Sequence, residues 1–306
     1  MDTLFDIARS NERVVLLTGD LGFGVVTQFA KELPKQFLNV GIAEPNMTGL
    51  ATGLALGGKT VVTYSIANFP TLRCIEQIRN DVCYHDADVK IVSVGGGMAY
   101  GSLGVSHHAT EDIAMMRAIP KLDVVAPNDP HEAECATRAV LASGRPTYLR
   151  LGRAGEPRVH DKTVPFTLGK AIRVREGTDV ALLVTGGLLQ EALRAADVLE
   201  ARGLGVRVIS VHTIVPLDET EVRAAGRECD AVFTVEEHSV VGGLGGAVSE
   251  CLLESGAVPR TFRRIGIRGG FTTLVGDQAF LREQYGLDAA GIVRTVNEAL
   301  SMTASA

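Results

Sequence analysis

No block of lysine or arginine breaks the 306-residue chain, whose formal net charge is −6. That balance argues against a nucleic-acid surface and leaves small molecules or other proteins as partners. The opening Met1-Asp-Thr-Leu-Phe-Asp-Ile7 lacks a basic region followed by an apolar core, so no signal peptide is read there. Apolar stretches are strand-sized and interrupted by glycine or charge, so no membrane span is read either. The five cysteines, Cys74, Cys83, Cys135, Cys229 and Cys251, are odd in number, scattered, and without a CxxC pair. Cys83-Tyr-His85 has poor metal-ligand spacing, so no metal site is read in this chain. Buried thiols in a reducing cytoplasm are the plain reading.

What remains is a soluble globular composition, 46% hydrophobic and 22% charged. The length suits about two domains. Five apolar runs, 13–19, 60–66, 89–94, 122–126 and 146–151, read as buried parallel strands. Helical patterns lie between them at 70–84, 109–119 and 129–143. The last opens Asn128-Asp-Pro130, an N-cap followed by a first-turn proline. Polar 152–162 reads as a linker. Beyond it the alternation restarts, with strands at 179–185, 206–211 and 231–235. Helices are expected at 188–202, 218–227 and 243–254, and an amphipathic one at 288–300. Such alternation predicts parallel sheets covered on both faces, in two α/β domains split near 155–168. The glycine cluster 242–246 lacks GxGxxG spacing and reads as a closely packed helix start.

The most informative stretch surrounds Glu44, which stands between an apolar lead-in and a run of small residues from Gly49 to Gly58. Small residues permit close backbone approach, so the run predicts a tightly packed helix with Glu44 at or near its start. An acid there is either favoured by the helix dipole or buried against a ligand.

Gly41-Ile-Ala-Glu44-Pro-Asn-Met47 resembles the motif of the transketolase superfamily of thiamine diphosphate enzymes, in their pyrimidine-binding domain. Gly169-Lys-Ala171, Val184-Thr-Gly-Gly187, His212-Thr-Ile-Val-Pro-Leu-Asp218 and the stretch 235–246 resemble landmarks of the transketolase C-terminal domain. The resemblance implies two doubly wound α/β domains, a pyrimidine domain over 1–160 and a C-terminal domain over 168–306. It also implies site residues. Glu44 resembles the acid that exchanges a proton with the cofactor's aminopyrimidine, a task requiring a raised pKa. Phe69, in Ile66-Ala-Asn-Phe69-Pro-Thr-Leu72, resembles the aromatic that stacks on that ring, with Ile66 and Leu72 completing an apolar slot. Asp20-Leu21 resembles the pair that props the cofactor in its bent form.

Ser106-His107-His108-Ala-Thr-Glu111 resembles the stretch that places His107 near the substrate carbonyl, with His108 where glutamine is usual. Arg153 resembles an arginine that grips the substrate's phosphate. Other parts of that grip differ: Gly24 replaces a serine, Gly95-Gly-Gly97 a basic region, and Leu103 an aspartate that reads hydroxyl stereochemistry. These departures put ordinary pentose and hexose phosphates in doubt as substrates. No motif for the cofactor's diphosphate and its Mg or Ca ion follows Gly19-Asp20-Leu21-Gly22. The resemblance thus implies the C-terminal subunit of a split transketolase. Its partner would be an N-terminal subunit holding diphosphate and metal, with two copies of each in a heterotetramer. The activity implied is transfer of a two-carbon ketol unit from a ketose to an aldehyde. The beta subunit of a 2-oxoacid dehydrogenase, a deoxyxylulose-phosphate-synthase-like ligase and a non-catalytic partner subunit remain as alternatives.

Overall fold

Aliphatic and β-branched runs form the strands of two sheets. The computed structural model describes residues 1–304. The first half of the chain supplies β1 (Val14–Thr18), β2 (Phe37–Asn39), β3 (Thr60–Ile66), β4 (Val89–Val94), β5 (Asp123–Val125) and β6 (Thr147–Leu151). The second supplies β7 (Ile172–Arg175), β8 (Val180–Thr185), β9 (Val206–Ser210), β10 (Thr213–Val215), β11 (Ala231–Ser239) and β12 (Thr261–Ile267). The larger sheet runs β10-β5-β6-β4-β3-β1-β2 and the smaller β12-β11-β8-β9-β7. Pairing is parallel except at two edges, where β10 and β7 lie antiparallel to β5 and β9. Helices flank both sheets, and every residue of β1 and β8 is buried, as a sheet covered on both faces requires.

The strands expected from apolar runs are all present. The edge strands β2, β7, β10 and β12 are additional. Strand β10 belongs by sequence to the second half of the chain yet completes the first half's sheet. One apolar cluster accordingly runs from Leu17, Ile91 and Tyr148 to Leu183, Ile209 and Val232. The polar stretch read as a linker is also tied down. Val159 N and His160 N donate to Asp129 Oδ2 at 2.9 and 2.8 Å. Burial pushes the Asp129 carboxyl up, but hydrogen bonds from His160 and three backbone amides hold it far below the usual carboxylate range. Asp129 also caps the helix Pro130–Ser143 by accepting from Glu132 N, as the Asn-Asp-Pro sequence predicts.

Two helices differ from expectation. The pattern at 70–84 forms a broken path: Asn68–Leu72, Ile75–Gln77 and a π-helical turn over Ile78–Cys83. Cys74 N reaches back three residues to Thr71 O and Tyr84 N five residues to Arg79 O, so a tight turn is followed by a wide one. The pattern at 109–119 is helical only over Asp112–Arg117, because Ala109 is bridged to Gly97. The helix Glu44–Leu56 starts at the expected residue, but its interior glycines are not part of the packed face. A Cβ at Gly49 or Gly53 would meet nothing within 4 Å, and the buried face is Met47, Thr48, Ala51 and Thr52.

Candidate active site

Parallel strands place their carboxyl ends on one edge of a sheet, where ligands of α/β proteins bind. The segments after β1, β3, β4 and β6 leave that edge and carry Asp20-Leu21, Phe69, His107 and Arg153. Glu44 reaches it from the first turn of its helix, with Pro45 at a position that needs no amide donor. The glutamate is 2% exposed. Its carboxylate has one hydrogen-bonding side-chain partner among the described residues, Arg73, whose Nη1 donates to Oε2 at 3.1 Å. The same guanidinium lies over the Phe69 ring, 4.4 Å from its centroid. Phe69 in turn meets His107 edge to face at 5.3 Å between centroids. Glu44, Arg73, Phe69 and His107 thus form one continuous chain of contacts.

Neighbouring side chains set this geometry. Asn68 Nδ2 donates to the carbonyls of Ser106 and His108 at 3.3 and 2.5 Å, fixing the His107 loop to the turn after β3. Burial, with His108 beside it, lowers the His107 pKa, and Nδ1 lies 3.0 Å from Ser106 Oγ. Asp20 sits at φ 57°, held by Asn39 through two hydrogen bonds of 3.0 Å, one from each partner. Leu21 is half-buried, and its carbonyl accepts from Thr18 Oγ1 at 3.2 Å.

Other expected site residues stand apart from this chain of contacts. Ile66 is half-buried but Leu72 is 49% exposed, so the slot around Phe69 is not closed within this chain. His108 is buried and paired with Thr272 Oγ1 and Gly101 O. Its ring is therefore engaged away from Phe69. Arg153 is exposed and borders a cavity of about 670 Å3 that Tyr100, Gly152 and Glu156 also line. The triple glycine has a packing reason: Cβ atoms at Gly95, Gly96 and Gly97 would strike the Tyr100 ring, Arg150 and Glu237.

Sequence reasoning passed over Asn39, Asn68 and Arg73, and a buried node behind the site. Arg150 Nε donates to Asp112 Oδ2 at 2.7 Å, and its Nη2 donates to the carbonyls of Ala109 and Glu237. Burial pushes the Asp112 carboxyl up, but Arg150 and then His238 hold it below the usual range. Glu237 accepts from Met98 N, Gln278 and Arg282, so β11 continues through three ionisable residues that all find partners. An Asn before Phe-Pro, and Glu-Glu-His closing a strand, were the sequence clues.

The family model of the transketolase pyrimidine binding domain matches residues 1–156, and that of the transketolase C-terminal domain residues 169–292. The chain belongs to the transketolase family. It is 40% identical to the 6-deoxy-6-sulfo-D-fructose transketolase subunit SqwH of a Clostridium species, covering 97% of this chain and 92% of that one. It is 38% identical to an apulose-4-phosphate transketolase subunit of Phocaeicola vulgatus, over 97% of this chain and 95% of that one. A solved structure described as a split gene transketolase, inactive beta4 tetramer, superposes with a TM-score of 0.88 at 36% identity, covering 99% of this chain and 96% of its own. The match is therefore to a transketolase-like transferase subunit that carries the pyrimidine and C-terminal domains.

The family implies thiamine diphosphate, and the residues present fit its aminopyrimidine end. A flat ring bearing nitrogen donors and acceptors needs an acid at one edge and an apolar face to stack on. Glu44 and Phe69 offer these side by side. Gly19 keeps the wall beside the carboxylate thin, since its Cβ would stand 3.7 Å from Glu44 Cγ. In the free chain Arg73 spans the same gap. No group of three or more His, Cys, Asp or Glu side chains among the described residues could hold a metal ion. No described helix is long and apolar enough to cross a membrane.

Proposed function

We propose that this transketolase-like subunit transfers a two-carbon ketol unit from a ketose to an aldehyde together with an N-terminal partner subunit. The observation that carries this reading is the convergence of buried Glu44 with half-buried Phe69 and His107 at the carboxyl edge of the larger sheet. Thiamine diphosphate, when bound, supplies the carbanion chemistry of the transfer. Glu44 holds and exchanges a proton at its carboxyl, against the pyrimidine ring nitrogen. Phe69 offers its face to that ring, and Asp20-Leu21, fastened by Asn39, forms the adjoining wall. His107, neutral around neutral pH, donates to or accepts from the substrate oxygen. Arg153, exposed just beyond β6, holds the donor's acidic group. Diphosphate and a Mg or Ca ion are assigned to the partner subunit, in a cytoplasmic heterotetramer.

The departures at Gly24, Gly95–Gly97 and Leu103 favour a donor other than an ordinary pentose or hexose phosphate. A relative named for 6-deoxy-6-sulfo-D-fructose supports that direction. The test of the site is Glu44→Gln in the enzyme assembled with its partner subunit. Gln keeps the shape but cannot exchange a proton, so turnover and deuterium exchange at the thiazolium carbon should fall by about 100-fold or more. An unchanged exchange rate would remove Glu44 from the mechanism.

A further inference from the structure

Among the described residues, Arg73 is the one cation that touches both halves of the proposed pyrimidine seat. Its Nη1 is 3.1 Å from Glu44 Oε2, and its guanidinium carbon is 4.4 Å from the Phe69 centroid. A guanidinium is planar, delocalised and edged with N–H donors, and it stacks on aromatic faces. It therefore offers Phe69 a flat π system and Glu44 an N–H donor, the two things an aminopyrimidine offers once its ring nitrogen has taken the proton from Glu44. We propose that Arg73 gates the seat: in the free chain its guanidinium occupies the place, over Phe69 and against Glu44, that the aminopyrimidine takes on binding. The inference rests on the reading of Glu44 and Phe69 as that seat.

Two physical features support a gate over a fixed strut. Glu44 is almost fully buried, and a buried carboxylate without a partner is costly, so a chain lacking its ligand needs a substitute cation there. Arg73 supplies it from a position suited to leaving. Its side chain is 49% exposed, and it follows the five-residue helix Asn68–Leu72, just before the turn at Cys74. A change of rotamer carries the guanidinium into solvent without repacking the buried Thr71 and Cys74 nearby. Its departure frees a Glu44 oxygen and the Phe69 face together, so ligand and gate exclude one another. The geometry makes Arg73 a competitor built into the apo subunit.

The test uses the full chain and the probe 4-amino-5-hydroxymethyl-2-methylpyrimidine, with binding followed by ligand-observed magnetic resonance. The Arg73 Nε–H signal, identified by its loss in Arg73→Gln, should be shifted upfield by the Phe69 ring in the wild-type chain. Adding the pyrimidine should move it to the position of a solvated arginine. Arg73→Gln should bind the pyrimidine about tenfold more tightly, equivalent to ~1.4 kcal/mol. Arg73→Lys keeps a charge for Glu44 without a flat face for Phe69, and should fall between. Suppose the pyrimidine binds and Phe69→Ala abolishes binding, yet the Arg73 signal stays still or Arg73→Gln gains no affinity. The gate is then overturned while the seat stands. Absent binding in every variant, or binding indifferent to Phe69→Ala, would overturn seat and gate together.

Discussion

Raising the pH through neutrality should weaken the fold at Glu156. Its side chain projects from the segment after β6 into a cleft bounded by glycines. A Cβ at Gly152 would fall 1.9 Å from Glu156 Oε1, and one at Gly187 2.7 Å from it. Burial pushes the carboxyl from an ordinary 4.5 up to about 7; Arg282 opposes the rise and Glu237 adds to it. The folded chain therefore holds this proton more tightly than the unfolded chain does. The resulting stabilisation is complete below the unfolded value of 4.5 and is lost as pH rises through the folded value of about 7. At 1.36 kcal/mol per pH unit, the full effect is about 3 kcal/mol.

Glu156→Gln removes the ionisation and nearly keeps the shape. Urea unfolding followed by far-ultraviolet circular dichroism, at pH 5, 6, 7 and 8, would isolate it. The stability of the variant relative to wild type should increase by about 2–3 kcal/mol between pH 5 and pH 8. In melting temperature that is about 2–4 °C for each kcal/mol in a domain of this size. A difference between the two proteins that stays flat across the series would refute the reasoning. It would mean that Glu156 reaches solvent or shares its charge with Arg282.

Two further outcomes are expected. Arg150→Met strands Asp112 as a buried charge and should cost about 3–5 kcal/mol in urea unfolding, with Asp112→Asn in the same chain recovering part of the loss. In the assembled enzyme, kcat/KM should be higher for a ketose bearing a sulfonate or no phosphate than for xylulose 5-phosphate. A tenfold preference for xylulose 5-phosphate would show that the losses at Gly24, Gly95–Gly97 and Leu103 are compensated by contacts elsewhere.

Long-period patterns were legible in the sequence, and features that depend on a partner across the fold were not. Apolar runs marked the buried strands because burial on both faces demands aliphatic side chains throughout. Edge strands escape such a reading. In β12, Thr261-Phe-Arg-Arg-Ile-Gly-Ile267, charges interrupt the run, and β10 is only Thr213–Val215. The helix start at Glu44 and the Asp129 cap were legible because both depend on residues within one turn. The break at Cys74 was not, since nothing in a periodic pattern separates an α-turn from the tight and wide turns observed. The candidates with a motif around them, Glu44, Phe69 and His107, are joined by contacts through Arg73. His108 was read from the same stretch, where glutamine is usual, and in the fold its ring is paired with Thr272 and Gly101 instead of meeting Phe69. Asn68 and Arg73 were passed over because each acts on a residue distant in sequence or on the opposite side of a turn.

Among the described residues, the second half of the chain places no side chain in the contacts among Glu44, Arg73, Phe69 and His107, yet it sets the geometry of the loop that carries His107. Glu237, at the end of β11, accepts the Met98 amide at 2.6 Å, and its carbonyl takes Arg150 Nη2 at 3.1 Å. Arg150 at the same time holds the Ala109 carbonyl at 2.9 Å, and Ala109 is bridged to Gly97. Thr272 takes the His108 ring from the far side. The loop from Gly97 to Ala109 is thus clamped at both ends by groups anchored beyond residue 230, while Asn68 fixes Ser106 and His108 from the turn after β3. Three small residues make this possible, because any side chain at Gly95, Gly96 or Gly97 would displace Tyr100, Arg150 or Glu237. The glycines that look like a lost substrate contact therefore serve a structural end. They admit the second domain to the back of the site, so that His107 is positioned by both sheets at once.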